Sequence, residues 1–222
     1  MPTILLIRHG ESKSNAGLPT SCPKLVELTG KGLKQAEDIA YILKSQPAPE
    51  LIVTSSYLRT QQTAKQTRLA FPFVPEEEWP VHEFTYLSPS YWNEDTTSKD
   101  REPLVKAYWE TCDPAYVDGP GSESFEQFIE RVREVKLRLK STEHDKIVVF
   151  SHQQFISALL WLSKRDPGDL SPETMMDFWA FLKAHPIPNG DLRRMRIRRR
   201  HESWQPESIS QMFEREPVFV RR

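Results

Sequence analysis

The sequence has little cysteine, little glycine and no long apolar run, and each shortage excludes a class of protein. Its 222 residues include only 2 cysteines and 8 glycines. Cys22 and Cys112 are too few for a disulfide framework or a structural zinc site. So few glycines argue against a phosphate cradle built from a glycine-rich loop. Because no apolar run approaches the roughly 18 residues of a membrane span, we expect no membrane partner.

Net charge is also lacking. The chain has 30 Lys and Arg against 31 Asp and Glu, which gives a formal charge of -1. No overall field therefore attracts nucleic acid, and we expect no nucleic-acid partner. The start of the chain, MPTILLIRH, lacks a basic segment followed by a long apolar stretch, so we expect a cytoplasmic protein. Its length predicts a single domain over residues 1–222.

Short apolar runs alternate with segments of helical spacing. Runs without alternation predict strands buried on both faces, at residues 3–7, 51–53 and 146–150. Apolar residues at helical spacing predict helices at 33–43, 57–70, 125–139, from the third strand through Leu160, and from Ser171 to about Ala184. This order predicts an α/β fold, a three-layer sandwich whose mostly parallel central sheet is flanked by helices.

Smaller signals refine this picture. Leu28-Thr29-Gly30 is suited to the start of the first helix, and the hydroxyls of residues 54–56 are suited to capping the second. The segment of about 72–121 is rich in proline and aromatic residues and predicts an irregular or helical insertion. Such an insertion is either a wall of the substrate site or a surface excursion packed by its own aromatic residues.

Cationic side chains follow all three predicted strands. Arg8 and His9 follow the first, Arg59 comes soon after the second, and His152 and Gln153 follow the third. Because the carboxyl ends of parallel strands meet at one edge of the sheet, we expect these groups to converge. Arginine forks and a charged imidazole suit a phosphate dianion.

The strings around these residues resemble a known family. LLIRHGES at residues 5–12, LTGKGLKQA at 28–36, SSYLRTQQTA at 55–64 and VFSH at 149–152 resemble the ordered motifs of the histidine phosphatase superfamily, also called phosphoglycerate-mutase-like. The resemblance covers residues 3 to about 155. It implies that His9 is the nucleophile, and that Arg8, Arg59 and a protonated His152 surround the phosphoryl group.

The resemblance also implies two weaker assignments and shows one departure. Asn15 matches a position that contacts phosphate. Glu83 matches the proton donor, and its apolar neighbours favour it over Glu76–Glu78 because burial raises a carboxyl pKa. Gln153 stands where the family usually has glycine, so its backbone N–H and side chain are further candidates for substrate binding.

These residues together predict a phosphatase that hydrolyses a small-molecule phosphate ester through a covalent phosphohistidine. No cofactor is implied, and the absence of HxH and HxxxH pairs argues against a metal site. Two alternatives stay open: a phosphoglycerate-type mutase, and an inactive module that binds phosphorylated ligands. The oligomeric state is not indicated.

The segment at 193–200 is rich in arginine and follows Asn189-Gly190. Asn-Gly is typical of a hairpin turn, and the alternating pattern predicts an edge strand with Met195 and Ile197 facing inward. The alternative is a strip that binds polyanions. The tail over 206–222 is compatible with a short helix.

Overall fold

Strands and helices alternate along the chain as the sequence predicts. The structure is a computed structural model that describes residues 2–197 and 202–205. Within these residues no helix is long and apolar enough to span a membrane. The strands are β1 (Thr3–Arg8), β2 (Leu51–Thr54), β3 (Glu76–Glu78), β4 (Lys146–Ser151), β5 (Leu192–Ile197) and β6 (Glu202–Gln205). The α-helices are α1 (Gly30–Lys44), α2 (Leu58–Ala70), α3 (Glu102–Thr111), α4 (Phe125–Lys140), α5 (Gln153–Lys164) and α6 (Pro172–Ala184).

The strands of the described residues form one mixed sheet in the order β3-β2-β4-β1-β5-β6. The pairs β3–β2, β2–β4 and β4–β1 are parallel, whereas β5 runs antiparallel to β1 and β6 runs antiparallel to β5. The predicted α/β fold with a mostly parallel sheet is confirmed. Because β4 lies between β2 and β1, residues that follow it lie between those that follow its neighbours.

Both faces of the sheet are covered, which makes three layers. Along β1, Leu5 and Ile7 belong to the apolar cluster that includes Ile39 and Leu43 of α1. The alternate residues of β1 belong to a larger cluster on the other face, to which α4, α5 and α6 contribute. This double burial explains why the strands are continuous apolar runs instead of alternating ones.

Side-chain caps begin three of the helices. Thr29 accepts from the backbone N–H of Gly32 at the start of α1, and Ser171 accepts from that of Thr174 at the start of α6. Ser124 forms a reciprocal capping box with Gln127 at the start of α4. The predicted hydroxyl cap of α2 is wrong, since its N-cap is Tyr57 and no side chain caps it.

The arginine-rich strand is not an edge strand, and Asn189-Gly190 does not form a hairpin. β5 pairs with the distant β1 on one side and with β6 on the other, so its position is internal. Met195 and Ile197 are buried as predicted, and Arg196 is exposed. The rest of the predicted arginine strip, residues 198–200, and the tail over 206–222 lie outside the described residues.

The segment 72–121 packs into the main core. It contains β3, a short 3₁₀ turn (Pro89–Tyr91) and α3. Phe84 stacks on Phe128 of α4 with ring centroids 4.3 Å apart, and Trp109 of α3 stacks on Trp179 of α6 at 4.3 Å. These contacts hold the segment beside the carboxyl edge of the sheet.

A close backbone approach holds the loop after β1 against α1. A Cβ added to Gly10 would lie 2.5 Å from the carbonyl oxygen of Gly32, and one added to Gly32 would overlap the carbonyl oxygen of Glu11. Both neighbouring atoms belong to the backbone and cannot rotate away. Glycine is therefore required here because two backbones touch.

A Gly32→Ala substitution is expected to lower the free energy of unfolding by about 1–3 kcal/mol, the usual cost of forcing a methyl group into a packed site. Gly30→Ala is the matched control, because nothing lies within 4 Å of its added Cβ. This control is expected to be neutral or to stabilise by up to about 1 kcal/mol. Urea unfolding measures both, and equal effects of the two substitutions would contradict the close-approach argument.

Candidate active site

The carboxyl ends of three parallel strands bring two histidines together. His9 follows β1, His152 follows β4, and Ser55 follows β2. The ring centroids of His9 and His152 lie 5.1 Å apart, and both residues are buried. This geometry agrees with the convergence expected from the strand order.

Arg59, in the first turn of α2, links the two rings. Its Nε donates to Nε2 of His9 at 3.1 Å, and its Nη2 donates to Nδ1 of His152 at 3.0 Å. Its Nη1 donates to the carbonyl oxygen of Pro23 at 2.7 Å. Burial lowers the pKa of Arg59 to about 10, which still leaves the guanidinium charged at neutral pH.

The hydrogen bonds of His9 define its tautomer. Nδ1 donates to the carbonyl oxygen of Gly10 at 2.7 Å, so the lone pair lies on Nε2. Burial, with Arg59 and Arg8 nearby, lowers the pKa of His9 well below its ordinary value. A neutral imidazole with a fixed tautomer is the form that can attack phosphorus.

The surroundings of His152 favour its neutral form, whereas the sequence analysis expects it to be protonated around a bound phosphoryl group. Burial and the Arg59 cation lower its pKa well below the ordinary value. Since Nδ1 accepts from Arg59, Nε2 carries the proton and donates to Oγ of Ser55 at 2.8 Å. Ser55 is a site residue that the sequence analysis interpreted only as a helix cap. Its place directly after β2 was the available signal.

Arg8 adds a second cation to the same cavity. Its Nη1 donates to the carbonyl oxygen of Ile187 at 2.6 Å, which anchors the side chain. Its Nε is buried and has no hydrogen-bond partner among the described residues. A buried donor without a partner is costly, so it is suited to an oxygen of a bound anion.

Asn15 lies at the cavity with its amide oriented by neighbours. Its Oδ1 accepts from the backbone N–H of Ser12 at 3.2 Å, from the hydroxyl of Ser12 at 2.8 Å and from Nδ2 of Asn189 at 3.0 Å. With Oδ1 occupied, the Nδ2 group of Asn15 is the end that a ligand can contact. Asn189 was missed as a site residue, because the sequence analysis interpreted Asn189-Gly190 as a turn.

Glu83 places a carboxyl group in the same cavity. Its Oε1 accepts from the backbone N–H of Gln154 at 2.9 Å, at the start of α5, and from its neighbour Phe84 at 3.2 Å. Burial raises the pKa of Glu83, although Arg59 and Arg8 oppose that shift. The acidic alternatives, Glu76–Glu78, form β3 and do not line this cavity.

The cavity has a volume of about 230 Å³. Arg8, His9, Asn15, Arg59 and Glu83 line it, and so do residues of the 72–121 segment. Among the described residues at its surface, Gln153 is absent and Gln154 is present. Gln153 is the first residue of α5, and the structure does not bring this predicted site residue to the surface of the cavity.

This constellation suits phosphoryl transfer. A neutral imidazole nitrogen lies beside two guanidinium groups, and a carboxyl group with a raised pKa lines the same cavity. Phosphoryl transfer requires mainly positioning and positive charge around the phosphoryl oxygens. Within the described part of the chain, no group of three His, Cys, Asp or Glu side chains could hold a metal ion.

Comparison with protein families gives one assignment. Residues 4–178 match the family model described as histidine phosphatase superfamily (branch 1). The match includes His9, Arg59, Glu83 and His152.

Two proteins with related sequences have names that include a phosphatase activity. The chain is 26% identical over 160 residues to adenosylcobalamin/alpha-ribazole phosphatase of Escherichia coli, covering 70% of this chain and 75% of that protein. It is 27% identical over 190 residues to 6-phosphofructo-2-kinase/fructose-2,6-bisphosphatase 3 of Bos taurus, covering 85% of this chain. That match covers only 39% of the length of the bovine protein.

A solved structure supports the fold. Mycobacterial glucosyl-3-phosphoglycerate phosphatase, in its complex with VO3, superposes with a TM-score of 0.69 at 20% identity. The superposition covers 94% of this chain and 98% of the other. At this identity the likeness shows a shared fold.

The raised pKa of Glu83 generates a prediction about stability. A group whose folded pKa is raised contributes stability that is present below its unfolded pKa and is lost as the pH rises through the folded pKa. As the pH rises from below the ordinary value of 4.5, we therefore expect wild type to lose stability relative to Glu83→Gln, which cannot ionise. Urea unfolding of both proteins at several pH values measures the difference.

His9 and His152 are present in both proteins, so their own titration cancels in this comparison. A difference that does not depend on pH, or that moves in favour of wild type as the pH rises, would show that the carboxyl pKa is not raised.

Proposed function

The chain belongs to the histidine phosphatase superfamily (branch 1), and we propose that it hydrolyses a phosphomonoester of a small organic metabolite through a phosphohistidine, without a metal ion. The observation that carries the proposal is the state of His9. Its Nδ1 is bound to the carbonyl oxygen of Gly10, so the Nε2 lone pair faces Arg59 in a cavity that Glu83 also lines.

In the first step, Nε2 of His9 forms a bond to phosphorus while the bond from phosphorus to the leaving oxygen breaks. Arg59 transfers its donors from the histidine rings to the phosphoryl oxygens, and Arg8 supplies its unpartnered Nε–H. The arriving dianion favours protonation of His152, because a nearby opposite charge raises a histidine pKa. Glu83 gives its proton to the leaving oxygen, which departs as an alcohol.

In the second step, water attacks the phosphohistidine. The Glu83 carboxylate takes one proton from this water as the oxygen–phosphorus bond forms and the nitrogen–phosphorus bond breaks. Inorganic phosphate leaves, and His9 and the protonated Glu83 are restored. The same carboxyl group serves both steps, because burial raises its pKa and so favours a form that can first give and then take back a proton.

A phosphoglycerate-type mutase is the second candidate within the family. Between Phe73 and Gly121 the sequence has a single arginine, Arg101, whereas a mutase must hold a carboxylate and a second phosphate in two orientations. This scarcity favours hydrolysis. Conversion of 3-phosphoglycerate to its isomer in the presence of a bisphosphate primer would identify a mutase instead.

We expect His9→Ala to abolish turnover of phosphomonoesters, because alanine has no nitrogen that can form the proposed covalent intermediate. Rapid acid quench with a radiolabelled ester should trap an acid-labile label on wild type and none on the variant. His185→Ala, an exposed histidine, is the control and should retain both activity and label. Near-normal activity of His9→Ala would overturn the phosphohistidine proposal.

We expect Glu83→Gln to lower kcat by about 10²–10⁴-fold, the usual contribution of a positioned proton donor. Inhibition by inorganic phosphate should change little, because Gln keeps the side-chain oxygen that accepts from Gln154 and leaves Arg8 and Arg59 in place. The loss should be largest for esters whose leaving alcohol has a high pKa. A uniform loss across leaving groups, with weaker phosphate inhibition, would assign Glu83 a structural role.

A further inference from the structure

Arg101 is a buried cation in the wall of the same cavity, and the proposed hydrolysis does not use it. It is the N-cap residue of α3, is only 4% exposed and lines the cavity. Tyr86, Trp92 and Val105 lie beside it in that wall. It therefore belongs to the part of the cavity built by the 72–121 segment.

The contacts of Arg101 leave one edge of its guanidinium open. Nη1 donates to the carbonyl oxygen of Thr96 at 3.3 Å and to its hydroxyl at 3.0 Å. The guanidinium carbon lies 4.3 Å from the centre of the Trp92 ring, a cation–π contact that restrains the group. Among the described residues, Nε and Nη2 of Arg101 have no hydrogen-bond partner.

No carboxylate of the described residues forms an ion pair with Arg101. The adjacent Asp100 is occupied elsewhere, since its Oδ2 accepts from the backbone N–H of Thr97 at 2.8 Å and from the hydroxyl of Thr97 at 2.7 Å. Burial lowers the pKa of Arg101, and the charge of the nearby Asp100 opposes that shift only in part. A buried cation that lacks a carboxylate partner is unfavourable unless a ligand supplies one.

The open edge has the shape of an anion receptor. Nε and Nη2 of a guanidinium project parallel N–H groups that match two oxygens of a carboxylate or a phosphate. Stacking on Trp92 orders the group before a ligand arrives, so less rotamer entropy is lost on binding.

The charged groups that line the cavity also indicate that its ligand carries a second anionic group. Three arginines line it, Arg8, Arg59 and Arg101, against one carboxyl group, Glu83. Glu83 must be protonated to act as the acid, and His9 must be neutral to attack phosphorus, so neither cancels an arginine charge. A phosphate monoester dianion matches two of the three cationic charges and leaves the third without a counter-charge.

We propose that the substrate carries a second anionic group, a carboxylate or a phosphate, on its leaving group, and that the Nε–Nη2 edge of Arg101 binds it. This assignment rests on the proposed hydrolysis and names the chemical class of its substrate. Tyr86, Trp92 and Val105 contact the part of the leaving group between the two anions. Arg101 thereby determines specificity, and His9 performs the chemistry.

The test uses ω-carboxyalkyl phosphates of increasing chain length, each paired with its terminal amide and with the bisphosphate of the same length. The chemistry of the leaving oxygen is nearly constant within a set. Differences in kcat/KM therefore report recognition of the group at the other end of the alkyl chain. We expect wild type to prefer the best charged ester over its amide by about ten- to hundredfold, the usual contribution of a charge-assisted hydrogen bond. The carboxylate and bisphosphate arms show which anion is bound.

Arg101→Met should remove this preference by lowering kcat/KM for the charged ester towards that of the amide, and circular dichroism shows whether the variant is folded. Arg101→Lys keeps the charge but not the paired donors and should retain part of the preference. Lys99→Met, an exposed residue of the same segment, is the control and should behave as wild type.

Binding of the matching non-hydrolysable phosphonates, measured by calorimetry, provides an arm that does not depend on turnover. Loss of the acid-over-amide preference in Arg101→Met, by kinetics or by calorimetry, supports the proposal. The proposal is overturned if the wild type shows no such preference at any chain length, or if the Arg101→Met variant retains the preference. Absence of both turnover and acid-labile label would instead overturn the proposed hydrolysis, and the calorimetric arm would still decide the role of Arg101.

Discussion

The site depends on one interaction, the bridge that Arg59 forms between the rings of His9 and His152. A guanidinium that donates to both imidazoles requires each to present a lone pair, so it fixes both tautomers and keeps both rings neutral. The bridge exists only because β4 lies between β1 and β2 in the sheet. The parallel sheet and the first turn of α2 therefore define the chemistry as much as the histidines do.

A second constraint is the position of the loop that carries His9. Its backbone touches Gly32 of α1 on one side, and on the other Nδ2 of Asn189 donates to the carbonyl oxygens of His9 and Gly10 at 3.2 and 3.4 Å. The carbonyl of Gly10 also accepts from Nδ1 of His9. The same backbone atoms thus fix the loop and orient the ring, and the groups that position His9 belong to segments far apart in the chain.

The cavity combines two surfaces of different character. The edge of the sheet supplies Arg8, Arg59 and His9, the proposed nucleophile, and this set suits a phosphoryl group. The 72–121 segment supplies Tyr86, Trp92 and Arg101, which suit the remainder of one kind of substrate. The mycobacterial structure shares this fold at 20% identity, and a shared fold does not by itself fix the substrate.

The sequence by itself determined the local features. Continuous apolar runs identified three of the parallel strands, because a strand that is buried on both faces has no polar face. The residues that follow those runs predicted the cationic cluster. Only the tertiary structure decided what depends on distant contacts. The sequence could not show that β5 is internal, that Ser55 accepts from His152 instead of capping α2, or that Arg101 is buried without a carboxylate. The protonation state of a histidine also depends on tertiary structure. The pKa of His152 is lowered because burial and a neighbouring cation act on it together, and neither is visible in a local motif.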